Sequence, residues 1–338
     1  MTQEVAILGG LFNAFLWGSW AAVLKKLDNY PLDAFFLGLY IFSFALVWMI
    51  ALVLLGEELF KEMAQAWRER PALMIVALIA GGTFVIGVRI TLTVFTSVGL
   101  SVTAPIQTFM SLIVGTSLAA FVGGRPAALS PFDLMTACLL LFAAAMATVW
   151  ARIVRDRSLF APAASQLRDV AGATSRRMIA KNIILVAPAS AIITAYPLGL
   201  AYSLRAPGRD YGLTPLAFMT VLATGSLIGA LLTSGAVLTI RRQWPTFLRA
   251  GWNKHRYSLI AASAHYGGNI INAFATGALT AAVSWPIGTT SYLWTYIWGL
   301  IIGEFKGAPR KSYLLIATGA LLYVAGILYL RWALLRSA

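Results

Sequence analysis

Four polar side chains recur at helical spacing within one apolar stretch of the chain. They are His265, Asn269, Asn272 and Thr276, at positions i, i+4, i+7 and i+11. This spacing puts them on one helical face. Amides both donate and accept hydrogen bonds, which suits sugar hydroxyls or ureide carbonyls. The pattern therefore predicts a face that binds a polar solute, with hydrogen bonding between neighbouring helices as the alternative.

His265 is also the candidate for carrying a coupling proton, because an unperturbed histidine has a pKa of about 6.5. The apolar stretches contain no acid well inside them, since Asp33, Asp133 and Glu304 all lie at their ends. A neutral, hydrogen-bonded histidine is the alternative interpretation of this residue.

Aromatic rings and hydroxyls share a second helical face. Trp285, Thr289, Tyr292 and Tyr296 follow one another at spacings of four, three and four residues. Aromatic rings that stack on a ligand, beside polar groups that form hydrogen bonds with its edge, are typical of sugar and nucleobase sites. The predicted substrate-binding residues, with walls from the other apolar stretches, are Trp17, Trp20, Arg89, Gln107, Tyr196, His265, Asn269, Asn272, Thr289 and Tyr292.

Arg89 is the one basic residue inside an apolar stretch. A charged side chain at the centre of a bilayer costs about 3 kcal/mol even on lenient scales. Two interpretations therefore remain open. The guanidinium either binds solute in a wet cavity, or it reaches the lipid headgroups from the end of a short span.

These residues belong to a chain that is too apolar for a soluble domain. Its 338 residues are 59% hydrophobic and only 11% charged, and the mean hydropathy is +0.79. The apolar residues form blocks of about 20, the length a helix needs to cross a bilayer. The sequence predicts an all-α integral membrane protein with ten transmembrane helices. The predicted spans are 5–24, 34–55, 73–94, 100–122, 134–151, 183–204, 214–238, 257–276, 278–302 and 313–330.

Lys and Arg set the predicted orientation. The breaks after spans 1, 3, 5, 7 and 9 hold 17 of them, against 8 in the other breaks and the termini. By the positive-inside rule the first set faces the cytoplasm, so both termini lie outside. Membrane topology thus accounts for the net charge of +14, and we do not expect a nucleic-acid partner.

The two halves repeat with opposite orientation. Gly81-Gly82 of the third span matches Gly267-Gly268 of the eighth, and Pro105 of the fourth matches Pro286 of the ninth. Because each half has five spans, the second is inverted, an architecture that places a substrate site near the midplane. The predicted parts are an N-terminal five-helix repeat (1–152), a basic cytoplasmic linker (153–181) and a C-terminal five-helix repeat (182–338).

Three segments carry a resemblance to a known group. They read Leu-Trp-Gly-Ser-Trp at 16–20, Gly-Leu-Ser-Val-Thr at 99–103 and Gly-Glu-Phe-Lys-Gly at 303–307. On these segments the chain resembles the drug/metabolite transporter superfamily, particularly the branch of glucose/ribose porters, rhamnose–proton symporters and ureide permeases. The resemblance implies a secondary transporter. Ala104 stands where ureide permeases carry an acid.

The expected function is uptake of a small polar solute by alternating access. The first candidate is a monosaccharide such as rhamnose or glucose/ribose, coupled to a proton or sodium gradient. A ureide or nucleobase permease, a metabolite or drug exporter of the same superfamily, and a non-transporting sensor or scaffold are the alternatives. We expect a multi-pass protein of a cell membrane such as the bacterial inner membrane. Its partners would be the solute, the coupling ion and the lipid bilayer, with a homodimer left open.

No cofactor, metal or catalytic residue is expected. The sequence has no Gly-x-Ser-x-Gly element, no metal-ligand cluster and no phosphate loop. It therefore does not indicate an enzyme.

Overall fold

The computed structural model describes residues 1–27, 30–98, 107–127, 129–168 and 187–336. Every regular element within these ranges is helical, which confirms the prediction of an all-α chain. The helices are α1 (Gln3–Ser19), α2 (Leu32–Leu55), α3 (Glu57–Glu69), α4 (Pro71–Val98), α5 (Gly115–Gly123), α6 (Pro131–Arg168), α7 (Ala195–Ser203), α8 (Pro215–Ala230), α9 (Ala236–Ile240), α10 (Trp244–Leu248), α11 (Trp252–Leu279), α12 (Ala281–Thr289), α13 (Ser291–Ile301) and α14 (Arg310–Leu335).

Four further helical segments extend these elements. A 3₁₀-helix, Trp20–Lys26, continues α1. Wider π-helical turns precede α5 at Phe109–Val114 and α9 at Leu231–Gly235. Residues 187–193 are also helical and lead into α7. The predicted break between the third and fourth spans, around 97–99, lies partly outside the described residues, since α4 runs to Val98.

Several helices are long and apolar enough to cross a membrane. In the described part of the chain these are Gln3–Leu24, Leu32–Leu55, Pro71–Thr91, Pro131–Leu159, Pro215–Ile240 and Arg310–Leu335. They support a multi-pass membrane protein.

The two ends of the bundle are distinguished by contacts between chain segments. At one end Arg331 lies 3.3 Å from Glu4, which joins the end of α14 to the start of α1. At the other end Lys254 donates a hydrogen bond to the Leu27 carbonyl at 3.2 Å. We call these the terminal end and the Leu27 end.

Glycines allow α4 and α8 to touch along their backbones. A Cβ built on Gly81 would lie 2.1 Å from the carbonyl oxygen of Leu222, and one on Gly225 would lie 1.9 Å from that of Leu78. The backbones of α4 and α8 can therefore approach this closely because neither position carries a side chain. Small residues serve this purpose in membrane bundles, where van der Waals contact drives helix association.

Two helices are interrupted beside threonine side chains. Helical residues 187–193 end at Thr194, whose hydroxyl donates to the Ala191 carbonyl at 2.6 Å. The break between α12 and α13 falls at Thr290, whose hydroxyl donates to the Ile287 carbonyl at 2.7 Å. Pro286 lies inside α12, so the last turn before this break lacks one backbone donor. The connection between α11 and α12, expected around residue 277, falls instead at Thr280, whose φ is +72°.

The helix α6 continues well beyond the predicted fifth span. We expected the span to end near 151 and a separate basic linker to occupy 153–181, but α6 runs to Arg168. Basic residues end a membrane span, yet they do not end a helix, because Arg is a strong helix former. Residues 169–181 lie outside the described residues.

The helix α3 was not predicted. It lies between the second and third predicted spans at the terminal end, and it buries Leu59 while Phe60 and Trp67 stay exposed. Its Glu62 carboxylate accepts hydrogen bonds from the Thr214 backbone N–H and hydroxyl at 2.6 and 2.7 Å, which fixes α3 to the start of α8. The segment is too polar to span, so a search for apolar blocks passes over it.

Candidate functional site

A cavity of about 810 Å³ lies inside the helix bundle. At the Leu27 end it is lined by Tyr30, Arg152 and Glu304. The side chains of Arg152 and Glu304 are 33% and 27% exposed, so this end contacts solvent and we call it the mouth. Of the predicted substrate-binding residues, those that line the cavity are Trp17, Trp20, Gln107, His265, Thr289 and Tyr292.

Three aromatic rings form a cluster at the inner end of the cavity, where two of them line it and Tyr196, predicted to bind solute, lies outside the lining. Trp17, Tyr196 and Trp285 come from α1, α7 and α12, and their ring centroids lie 5.6 to 5.9 Å apart in every pairing. The rings meet edge to face or tilted, which is the preferred geometry for aromatic pairs. We call this cluster the floor.

Hydrogen bonds from other helices hold each ring of the floor. The Trp17 Nε1–H donates to Asn269 Oδ1 at 2.8 Å and to the His265 carbonyl at 3.2 Å. The Asn272 amide donates to the Tyr196 hydroxyl at 3.3 Å. Asn269 and Asn272 were predicted to bind solute, and the structure places both in contact with the floor and outside the cavity lining.

The third ring is held by an irregular turn of the chain. The Trp285 Nε1–H donates to the Ser111 carbonyl at 2.7 Å. Ser111 lies in the π-helical turn Phe109–Val114, and such wide turns often mark functional positions in helices. Ser111 follows Gln107 by four residues, a spacing that puts both on one helical face, but nothing in the sequence indicates the π turn.

The predicted polar face of α11 points into the protein. His265, Asn269, Asn272 and Thr276 are 7%, 1%, 0% and 0% exposed, as the helical spacing predicts. Thr276 shares a 2.5 Å hydrogen bond with Ser284 of α12, so this part of the face joins helices.

His265 lines the cavity among aromatic rings. Its ring stacks on Phe84 at a centroid distance of 6.1 Å and 9° between planes, and Trp20 lies 5.3 Å away. The Nδ1 atom has no hydrogen-bond partner among the described residues. Thr91, which also lines the cavity, has an unpartnered buried hydroxyl as well. Both atoms are buried in this conformation. Thr91 was missed because its spacing does not put it on the helical face of Arg89, the polar residue that the sequence singles out in this stretch.

Thr289 and Tyr292 face the cavity from either side of the α12–α13 break. The Thr289 hydroxyl donates to the Pro286 carbonyl at 2.8 Å, so its lone pairs, not its proton, face a ligand. Gln107 also lines the cavity, with its side chain half-buried. Together these residues offer amide, hydroxyl and imidazole groups beside aromatic rings.

The mouth carries charges of both signs. The Arg155 guanidinium lies 2.5 Å from Asp156 and 3.5 Å from Glu304, and it stacks over the Phe305 ring at 4.9 Å. Arg152 lies 3.9 Å from Asp156. The unpredicted extension of α6 supplies three of these four charged residues. Opposite charges at the mouth therefore offset one another.

Arg89 is held by an acid from another helix. Its Nε and Nη2 atoms donate to the two carboxylate oxygens of Asp33 at 2.7 and 2.9 Å. The Ser234 hydroxyl donates to the same carboxylate at 3.0 Å. Arg89 does not belong to the cavity lining, and its pairing with Asp33 matches neither interpretation of the sequence. The pair joins α2, α4 and the π turn before α9.

The Trp-Gly-Ser-Trp segment, where α1 passes into the 3₁₀-helix, has a structural role at each position. Beside the two rings, Gly18 packs against α13, where a Cβ would lie 2.5 Å from the Ser291 carbonyl oxygen. Ser19 accepts a 2.7 Å hydrogen bond from the Trp298 indole. This spacing puts one ring in the floor and one beside His265 while α1 stays in contact with α13.

Comparison with known proteins adds the fold alone. No protein-family model matches the sequence, and no curated protein matches it. One solved crystal structure aligns over 96% of this chain and 96% of its own, with a TM-score of 0.63 and 13% sequence identity. At this identity the likeness establishes a shared overall architecture.

Proposed function

We propose that this protein is a secondary active transporter that moves a small polar solute by alternating access. The observation that carries the proposal is the cavity. Its mouth is exposed to solvent, polar groups line it at mid-depth, and it ends at a floor held by hydrogen bonds. A transporter needs a site that is open to one side and closed to the other. A sensor or scaffold does not need a site that is open to one side of the membrane and closed to the other.

Ten transmembrane helices in two inverted five-helix repeats remain our proposal for the architecture. The four spans beyond the long apolar helices would be residues 107–123, 187–203, 252–279 and 281–301. These are the segments with π turns, breaks or polar faces, which are features of transporter helices that line a site. The Trp285–Ser111 hydrogen bond supports the repeat, because it joins the predicted ninth and fourth spans.

The cavity chemistry favours a neutral solute. Its volume of about 810 Å³ lies within the usual range for small-molecule sites. The polar groups at mid-depth, such as His265, Thr91 and Gln107, are uncharged hydrogen-bonding groups apart from the titratable imidazole. We propose a monosaccharide such as rhamnose or glucose/ribose, whose C–H face suits the rings of the floor. The same flat rings also favour a ureide or nucleobase as the second candidate.

The resemblance to drug/metabolite transporters supports coupling to protons or sodium, and His265 is our candidate for the proton. It is the titratable side chain at mid-depth in the described cavity lining. A protein of this kind would reside in a cell membrane, with the termini outside if the Lys and Arg distribution governs insertion.

The test is uptake by the purified protein in liposomes. Radiolabelled rhamnose, glucose, ribose, allantoin and uracil are supplied with an imposed proton gradient, a sodium gradient or neither. We expect one solute to accumulate with one of the gradients. If none accumulates under any condition while the protein is folded, the assignment as an uptake transporter fails.

Histidine variants separate coupling from binding. If His265 carries the proton, His265→Gln abolishes gradient-driven accumulation but retains exchange of labelled for unlabelled solute. The matched control is His255→Gln, because this histidine packs against Phe42 and Phe247 away from the cavity lining. Full proton-driven accumulation by His265→Gln would exclude the histidine as the coupling group.

A further inference from the structure

Asn13 is a buried amide that the cavity does not use. It lies on α1 one helical turn before Trp17, it is 0% exposed, and neither Oδ1 nor Nδ2 has a hydrogen-bond partner among the described residues. Leaving buried polar atoms unpaired is costly, so a leucine of similar size would suit this packing better. An amide kept at this position suggests a second conformation in which its atoms are paired.

The packing around Asn13 shows that the amide is closely accommodated. A Cβ on Gly268 would lie 2.7 Å from Asn13 Oδ1, and one on Gly288 would lie 2.7 Å from Asn13 Nδ2. The same two Cβ atoms would lie 2.7 and 2.8 Å from atoms of the Trp17 ring. The amide is thus enclosed between α11 and α12 directly behind the floor, on the side of the terminal end.

Two other amides behind the floor have one unpaired atom each. Asn269 accepts from Trp17 through Oδ1, and its Nδ2 has no partner in the part of the chain that the structure describes. Asn272 donates to Tyr196 through Nδ2, and its Oδ1 has no partner there either. With Asn13 the three side chains present two unpaired amide NH₂ groups and two unpaired carbonyl oxygens. A neutral ligand with hydroxyl or amide groups matches this balance, because such groups both donate and accept.

We propose that Asn13, Asn269 and Asn272 form a hydrogen-bonding subsite for the neutral solute, closed in this conformation and exposed to the terminal end when the floor separates. This subsite rests on the proposed transport function. The two hydrogen bonds that Asn269 and Asn272 make to the floor break as it opens, which frees all three amides for the solute. The solute then passes from this subsite to the cavity between the floor and the mouth.

The first experiment compares stability with transport. Asn13→Leu removes the unpaired amide, so we expect the thermal midpoint to stay level or rise by about 2 °C, while uptake of the wild-type substrate falls about tenfold or more. The control is Ser43→Ala on α2, which removes another buried hydroxyl with no partner among the described residues. Because α2 contributes no ring to the floor and Ser43 does not line the cavity, uptake should stay unchanged. Normal uptake by Asn13→Leu, or a loss of stability large enough to explain its loss of uptake, overturns the subsite.

The second experiment does not depend on knowing the substrate. Cys138 is the chain's single cysteine, so Cys138→Ala gives a cysteine-free background. In it, Asn13→Cys is treated with a membrane-impermeant maleimide from the terminal side of oriented vesicles, with Ser43→Cys as the buried control. We expect labelling at position 13 and none at position 43. If position 13 is never labelled from this side, the subsite fails even for an active transporter. If it is labelled but no solute of the panel accumulates in the wild type, only the proposed function fails.

Discussion

The Asp33–Arg89 ion pair gives a sharp test of the fold and of the role of Arg89. The two side chains are 6% and 16% exposed, and two short hydrogen bonds join them. Breaking a buried pair by removing one partner costs about 3–5 kcal/mol, because the remaining charged side chain loses its hydrogen bonds to the other. We therefore expect Arg89→Met and Asp33→Leu each to lower the thermal midpoint by an amount on the order of 10 °C.

The double variant should recover most of this loss. Replacing both partners by apolar groups is often close to neutral, so the coupling free energy between the two substitutions should exceed about 2 kcal/mol. Differential scanning fluorimetry in detergent of the wild type, the two single variants and the double variant measures this coupling free energy. Additive losses in the double variant would show that the pair does not form and would refute this part of the account.

Uptake by the same double variant separates the role in folding from a role in binding. Because Arg89 lies outside the cavity lining, restoring stability should restore transport. A stable double variant that binds no solute would return Arg89 to the substrate site, as one interpretation of the sequence proposed.

Further predictions concern the glycine crossing and the floor. Gly225→Ala forces a Cβ to within 1.9 Å of the Leu78 carbonyl oxygen and should destabilise the protein by about 1–3 kcal/mol. Gly267→Ala is the control, because the nearest atom to its Cβ would be in the Leu16 side chain at 4.0 Å, and stability should not fall. Equal thermal midpoints for the two glycine variants would contradict the close contact between α4 and α8. Trp17→Phe keeps the aromatic ring but leaves the buried Asn269 Oδ1 without its donor, so closure of the floor should weaken by about 1–3 kcal/mol. In the Asn13→Cys, Cys138→Ala background, adding Trp17→Phe should then make labelling by the impermeant maleimide about tenfold faster or more. An unchanged labelling rate would show that the hydrogen bond does not hold the floor.

The sequence predicted the features that depend on local periodicity. Helical spacing put His265, Asn269 and Asn272 on a buried face, and the structure confirms it. Trp17 and Trp20, which the sequence proposed as cavity walls, both line the cavity. In a membrane protein an isolated polar face has few stable positions other than the interior, so spacing alone is informative.

Features that depend on tertiary partners were not predictable. Arg89 and Asp33 are separated by 56 positions in the sequence, and nothing local in the chain indicates that they meet. The roles of Asn269 and Asn272 in the floor depend on rings from α1 and α7. Asn13 was overlooked because no other polar side chain lies three or four residues away from it in its apolar stretch. Its place four residues before Trp17 was the available signal, because it puts both on one face.

The central claim is that one cavity becomes accessible from both sides of the membrane. Thr289 lines the cavity and differs little in size from cysteine, so Thr289→Cys in the Cys138→Ala background reports on it directly. Oriented vesicles are treated with an impermeant maleimide on one face or the other, with and without the transported solute. The account predicts labelling from both faces, with the transported solute slowing both reactions. Labelling from the mouth side alone, in a folded protein, would contradict alternating access and indicate a static binding pocket.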